Sequence, residues 1–263
     1  MVSETMLHKL LVSGRSDIGL VRQNNEDVWV QLPEVNFFAI ADGMGGHQAG
    51  EVAARNAIDD LCRTMSKKNA SEYQKMTLKE IGELLRKAIR HANTLTFKLS
   101  KLNPEYRGMG TTLCCMQFHP EGIVYAHVGD SRIYRLRAGQ LVQLTKDHSL
   151  LSDLVDQGGI NQEEIADFQY KNVITKAIGT EHKIDPSIAI ADLLPNDYYL
   201  MCSDGLSDLL STNDIIDILT KNGKVSQAVD ALIATANRKG GRDNITVLLI
   251  KIEDLDESEN IPG

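Results

Sequence analysis

Short apolar runs joined by tight turns constrain this chain more than any other feature. Strand-like runs fall at residues 28–32, 37–41, 112–118, 123–128, 132–137, 140–144, 198–202 and 245–252. The junctions include Pro33–Asn36, His119–Gly122 and Ala138-Gly139. Turns this short fold a strand back beside its predecessor, so they favour antiparallel hairpins over parallel crossover units. Four helical patterns interrupt the hairpins. Residues 50–66 are alanine-rich, and Leu78, Ile81, Leu85, Ala88, Ala92, Leu95 and Leu99 mark one long amphipathic helix. Ser211 opens a third, which carries Ile215, Ile216, Ile218 and Leu219, and Val225–Lys239 forms a fourth that stops at Gly240-Gly241. Hairpins accompanied by helices with one apolar face predict an α+β fold, with sheets packed together and covered by helices.

At 263 residues the chain can bury a sizeable core, and no linker rich in Pro, Gly or Ser divides it. It therefore reads as one domain, with residues 253–263 as a disordered acidic tail. Lys+Arg 28 against Asp+Glu 36 leaves a net charge of −8, which argues against nucleic acid or an anionic membrane as the main partner. Residues 1–21 hold only short apolar pieces broken by His8, Lys9, Arg15 and Asp17, so no signal peptide is expected. No apolar stretch approaches the ~20 residues that a membrane span needs. Cys62, Cys114, Cys115 and Cys202 lack zinc-site spacing and read as buried, reduced thiols of a cytoplasmic protein.

The chemistry-bearing pattern lies at the strand ends. Phe37–Ala41 runs into Asp42-Gly43, Ile123–Val128 into Gly129-Asp130, and Tyr198–Cys202 into Ser203-Asp204-Gly205. Val28–Leu32 instead follows Glu26-Asp27, and Ile245–Ile252 follows Asp243-Asn244. If Leu32 pairs with Phe37 across the four-residue turn, Asp27 falls opposite Asp42. Similar pairing elsewhere would gather five or six carboxylates on one rim. For any single pair, Asp-Gly is simply good turn chemistry. As a set, clustered carboxylates repel one another unless a cation neutralises them. An all-oxygen donor set favours Mg²⁺ or Mn²⁺ over zinc, and several carboxylates suggest a two-metal site that activates water.

The glycine-rich turn after Asp42 is not a phosphate cradle. Gly45 to Gly50 matches half of a P-loop, but Glu51 and Val52 stand where Lys and Ser/Thr belong. Gln48 replaces the third glycine of a dinucleotide fingerprint started at Gly43. A turn lending a carboxylate and backbone carbonyls to a metal fits better.

In order along the chain stand GLVRQNNED (19–27), ADGMGGHQAGE (41–51), GMGTTL (108–113) and VGDSRIYRLR (128–137). They are followed by LTKDHSL (144–150), VITKAIG (173–179), CSDGLSDLL (202–210) and GRDNITVLLI (241–250). This succession resembles the type-2C protein phosphatases, the metal-dependent Ser/Thr phosphatases, above all their compact bacterial branch. The resemblance implies a four-layer αββα sandwich, two antiparallel sheets face to face and flanked by helices, over a catalytic domain of residues 1–252. It implies that Asp42 bridges two Mn²⁺ or Mg²⁺ ions, that the Gly43 carbonyl binds one, and that Asp204 and Asp243 bind the other. Glu26 and Asp27 would bind a metal or hold its waters, and Arg22 would clamp the phosphate. A hydroxide bridging the metals would attack the phosphorus of phosphoserine or phosphothreonine directly. Asp130 and Asp208 would help Asp204 hold a weaker third ion; Asp208 lies four residues after Asp204, on the same face if a helical turn begins there. The bland alternatives are that Asp208 caps its helix and that Asp130 pairs with Arg132. Implied partners are phosphoproteins, including a Ser/Thr kinase, for a cytoplasmic monomer that uses neither nucleic acid nor membrane.

Two departures stand out. Animal members place histidine directly after Asp-Gly, where this chain has Met44. His47 follows three residues later and is the candidate general acid, with packing against the turn as the alternative. Bacterial relatives often carry His-Pro-Arg before Asn172-Val173, where this chain reads Phe168 to Lys171, within an expected flap over 149–172. Three other readings remain open. The chain could be a silent phosphoprotein-binding member, a small-phosphomonoester phosphatase of the same fold, or a non-enzymatic sandwich whose carboxylates serve as turns or as a structural Ca²⁺ site.

Overall fold

The structure is a computed structural model and describes residues 9–45, 49–159, 170 and 173–253. The elements are β1 (Lys9–Asp17), β2 (Asp27–Leu32), β3 (Phe37–Met44), α1 (Ala49–Met65), α2 (Ala70–Gln74), α3 (Leu78–Leu102) and β4 (Gly110–Thr111). There follow β5 (Leu113–His119), β6 (Gly122–Val128), β7 (Arg132–Arg137), β8 (Gln140–Gln143), α4 (Leu150–Asp156), β9 (Ser187–Ala191) and β10 (Tyr198–Cys202). The chain closes with α5 (Asp204–Ser207), α6 (Thr212–Lys221), α7 (Val225–Arg238) and β11 (Ile245–Glu253).

The strands form two sheets, ordered β1-β11-β10-β7-β8 and β2-β3-β5-β6-β9, with β4 added beside β3. Every pairing within them is antiparallel. Alternation along the strands builds the layers. In β3, Phe37, Ala39 and Ala41 face one way, packing with Ile58 and Leu61 of α1 and with Ile81, Leu85 and Ile89 of α3. Phe38 and Ile40 face the other way, into a core between the sheets shared with Tyr199, Met201, Leu248 and Ile250. Leu200, Val247 and Leu249 turn outward, beneath Ile215 and Leu219 of α6 and Val229 and Leu232 of α7. These three apolar layers make a helix–sheet–sheet–helix stack, as expected. Each fully buried Leu, Ile or Phe contributes ~1.5–3 kcal/mol, so most of the stability lies in these layers. The long helix starts where Thr77 and Glu80 satisfy each other's backbone donors, a reciprocal cap repeated by Ser211 and Asp214 at α6.

The structure departs from the sequence reading at several places. Strand β1 covers a stretch whose short apolar pieces predict no strand, yet it pairs with β11 over nine positions and sends Leu10 and Val12 against the inter-sheet core. Strand β9 and the short helices α2 and α4 are further additions. Strand β11 runs through Glu253, which meets Lys9 at 2.9 Å, so the strand enters the stretch read as tail by one residue. Residues 254–263 lie outside the described residues. All four thiols are free, but Cys62 is only half-buried, while Cys114, Cys115 and Cys202 are buried as expected. Among the described residues, no helix is long and apolar enough to cross a membrane.

Candidate metal centre

Strand register assembles the site. Leu32 pairs with Phe37, and the ladder of β2 and β3 then places Asp27 directly opposite Asp42. Asp42 is fixed through its backbone. Its N–H donates to Thr112 Oγ1 (3.0 Å), and its carbonyl accepts from Thr112 N–H (2.8 Å) and Thr111 Oγ1 (2.9 Å). Gly43 donates its N–H to the Glu26 carbonyl at 3.2 Å, and a Cβ on Gly43 would run into the Gly50 carbonyl. Only glycine lets the β3 end lie this close to the start of α1.

The second sheet supplies the rest of the rim. Ser203 donates to Asp27 Oδ2 at 2.8 Å and accepts from Thr246 N–H at 3.0 Å, so β10 and β11 hold a carboxylate of the opposite sheet. Asp204 stands in the first turn of α5, and Asp208 ends that turn with its N–H on the Asp204 carbonyl at 2.8 Å. Asn244 pins the 18–26 loop. Its Nδ2 donates to the carbonyls of Ile18 (3.0 Å) and Asn24 (2.9 Å), and its Oδ1 accepts from Glu26 N–H (2.8 Å). Arg22 donates to Asp243 Oδ2 at 2.7 Å.

Electrostatics tie these acids into one cluster. Loss of hydration pushes Asp27 up to about 6 and Asp130 up to about 6. The same cause takes Asp204 up to about 7 and Asp42 well above the usual carboxylate range. Neighbouring charges then add to it: Asp27, Asp204, Asp130 and Asp243 all raise Asp42. Glu26 is raised too, chiefly by burial. Oδ1 of Asp27, Oδ1 of Asp130 and Oδ1 of Asp204 are buried without a hydrogen-bond partner. Buried, repelling carboxylates with orphaned oxygens are what a multivalent cation would satisfy, so the residues fit the expected Mn²⁺ or Mg²⁺. Among the described residues, no three of these side chains already close as a metal cage.

The structure therefore gathers Glu26, Asp27, Asp42, Asp204 and Asp243 at the strand ends, with Arg22 alongside and Asp130 and Asp208 within electrostatic reach of Asp204. Asp130 does not pair with Arg132, because Asp147 takes that guanidinium in a forked contact from Nε and Nη2 (2.7 Å at the shortest). Asp208 ends α5 rather than opening it. His47 lies outside the described residues, as do 160–169 and 171–172 of the expected flap. The flap's ends are pinned together, with Leu150 N–H on the Val173 carbonyl at 2.8 Å. Sequence reasoning missed Thr112, Ser203 and Asn244 as supports, although each stands inside a motif segment. Ser203 and Asn244 each adjoin a site aspartate in the chain, but nothing local marks Thr112, and all three act on residues far away in sequence.

The model of the family described as protein phosphatase 2C matches residues 14–249. The serine/threonine protein phosphatase PstP of Mycobacterium tuberculosis is 37% identical over 96% of this chain, which spans 47% of that protein. Protein phosphatase PhpP of Streptococcus pneumoniae is 36% identical over 93% of this chain and 98% of its own length. The catalytic domain of PstP, solved with two manganese ions, superposes with a TM-score of 0.80 at 36% identity, covering 93% of this chain and 99% of that one. A Streptococcus agalactiae serine/threonine phosphatase superposes at 0.86 with 36% identity, covering 93% and 100%. On sequence and fold together, this chain belongs to the protein phosphatase 2C family.

Proposed function

We propose that this chain is a metal-dependent phosphatase that hydrolyses phosphoserine and phosphothreonine in proteins. The rim of Asp27, Asp42, Asp130, Asp204 and Asp243, with three orphaned carboxylate oxygens, carries the reading. Asp42, the Gly43 carbonyl, Asp204 and Asp243 would hold the principal pair of ions, with Glu26 and Asp27 beside them. Asp130 and Asp208 would join Asp204 at a third. Such ions supply a water of lowered pKa and positive charge for the phosphoryl oxygens. The chain's own work is positional. Thr112 and Ser203 fix Asp42 and Asp27, so that negative charge is presented at fixed points. Arg22 offers a planar guanidinium for two phosphate oxygens and orients the ester. His47 is the candidate proton donor to the departing serine or threonine oxygen.

Residues 1–252 would form this catalytic unit, acting in the cytoplasm as a monomer opposite a Ser/Thr kinase. A silent phosphoprotein-binding role is disfavoured because Asp42, Asp204 and Asp243 are all in place. The test is p-nitrophenyl phosphate and phosphothreonine-peptide turnover with Mn²⁺, with and without chelator. Turnover that follows the ion supports the reading, and no turnover with saturating Mn²⁺ contradicts it. Peptide turnover well above metabolite turnover separates a protein phosphatase from a small-ester one.

A further inference from the structure

Leu20 and Val21 are 68% and 66% exposed, and Ile18 beside them is 39% exposed. Scattered exposed aliphatics are ordinary, but this group is continuous and runs straight into Arg22. Its exposure does not come from a loose loop. Leu20 N–H donates to the Gly241 carbonyl at 2.7 Å, Gly19 N–H to Asp17 Oδ1 at 2.9 Å, and Asn244 holds the Ile18 and Asn24 carbonyls. Gly19 sits at φ +80°, where an added Cβ would strike the Asp243 carbonyl oxygen. The fold thus spends several backbone contacts holding two large aliphatic side chains in water beside the candidate phosphate clamp.

We propose that Leu20 and Val21 dock an apolar residue that lies one or two positions from the phosphorylated serine or threonine of a substrate protein. This rests on the reading of Arg22 as the phosphate clamp. The reach follows from chain geometry. Val21 adjoins Arg22 in the chain and Leu20 adjoins Val21, while the guanidinium lies against Asp243, next but one to the Gly241 that holds the Leu20 N–H. An extended substrate segment advances about 3.3 Å per residue, which brings its first or second neighbour of the phosphoresidue over this surface. Arg22 takes the charge and the adjoining aliphatics cover the flank, so one short loop reads both.

The test uses the Mn²⁺-loaded enzyme and its Leu20→Ser/Val21→Ser double variant, with folding checked by thermal denaturation. Substrates are p-nitrophenyl phosphate and two phosphothreonine peptides that differ only in carrying Leu or Ser at the neighbouring positions. The wild type should favour the Leu peptide about tenfold in kcat/KM, the scale of covering one aliphatic side chain. The double variant should lose that preference while p-nitrophenyl phosphate turnover stays within about twofold. Leu20→Met, which keeps an apolar surface, should retain it. Equal use of both peptides by the wild type, or a preference surviving in the double variant, overturns the proposal. Concentration-dependent sedimentation of the wild type that vanishes in the variant would make a second copy the occupant and also overturn it. Absent p-nitrophenyl phosphate turnover in the wild type would overturn the underlying reading, and this surface with it.

Discussion

The Arg22 guanidinium donates to the Asp243 carboxylate across 2.7 Å, joining residues 221 positions apart. That hydrogen bond is the main cause holding Arg22 above its ordinary pKa. A divalent ion held by Asp243 would compete for the same oxygens and free the guanidinium, still charged, for a phosphate. The candidate metal ligand and the candidate phosphate clamp are therefore in direct contact.

Arg22→Ala should raise KM for phosphopeptides about ten- to a hundredfold, the worth of a charge-assisted contact, with a smaller fall in kcat. Steady-state kinetics at saturating Mn²⁺ check this. An unchanged KM would make the Asp243 contact the residue's whole role.

Asp204→Asn and Asp243→Asn should each lower kcat by more than about a hundredfold, since even outer supports of metal ligands cost ~10–100-fold. Both proteins should stay folded by circular dichroism, because removing one of several repelling charges does not loosen the apolar layers. Near wild-type rates in folded variants would make the carboxylates structural.

The strand-end acids were legible because strand ends and turns are local features. The four-residue turn fixes Leu32 on Phe37, and period-two pairing then puts Asp27 on Asp42. Strand β1 was not legible, because its residues are only partly buried and its short apolar run Leu10–Val12 is flanked by Lys9, Arg15 and Asp17 rather than alternating with them. Nor were the supports. Asn244 and Thr112 act on backbone 226 and 70 positions away, and no local pattern reports such a contact.

Stability in chelator should fall as pH rises. Asp27 and Asp130 at about 6 and Asp204 at about 7 are raised above their unfolded values near 4. Between pH 4 and 7 the folded state thus binds more protons than the unfolded, and its advantage disappears as they leave. Tm at pH 8 should lie roughly 5 °C or more below that at pH 5, and Mn²⁺ should restore most of the loss at pH 8. A flat profile would mean that burial, with the neighbouring charges, does not hold protons on these carboxylates in the folded state.

Asp130→Asn should lower kcat strongly while two Mn²⁺ ions still bind tightly by calorimetry. The motive is its orphaned Oδ1 and the absence of an Arg132 pair. A variant that loses Tm and keeps its turnover would show that Asp130 serves the turn instead.

The most direct test is a Mn²⁺ titration of the exhaustively chelated and dialysed protein, following calorimetric binding and phosphothreonine-peptide hydrolysis in the same samples. The account predicts no hydrolysis before addition, activity rising with occupancy of the Asp42–Asp204–Asp243 sites, and loss of both on renewed chelation. Full hydrolysis in the stripped protein would contradict it.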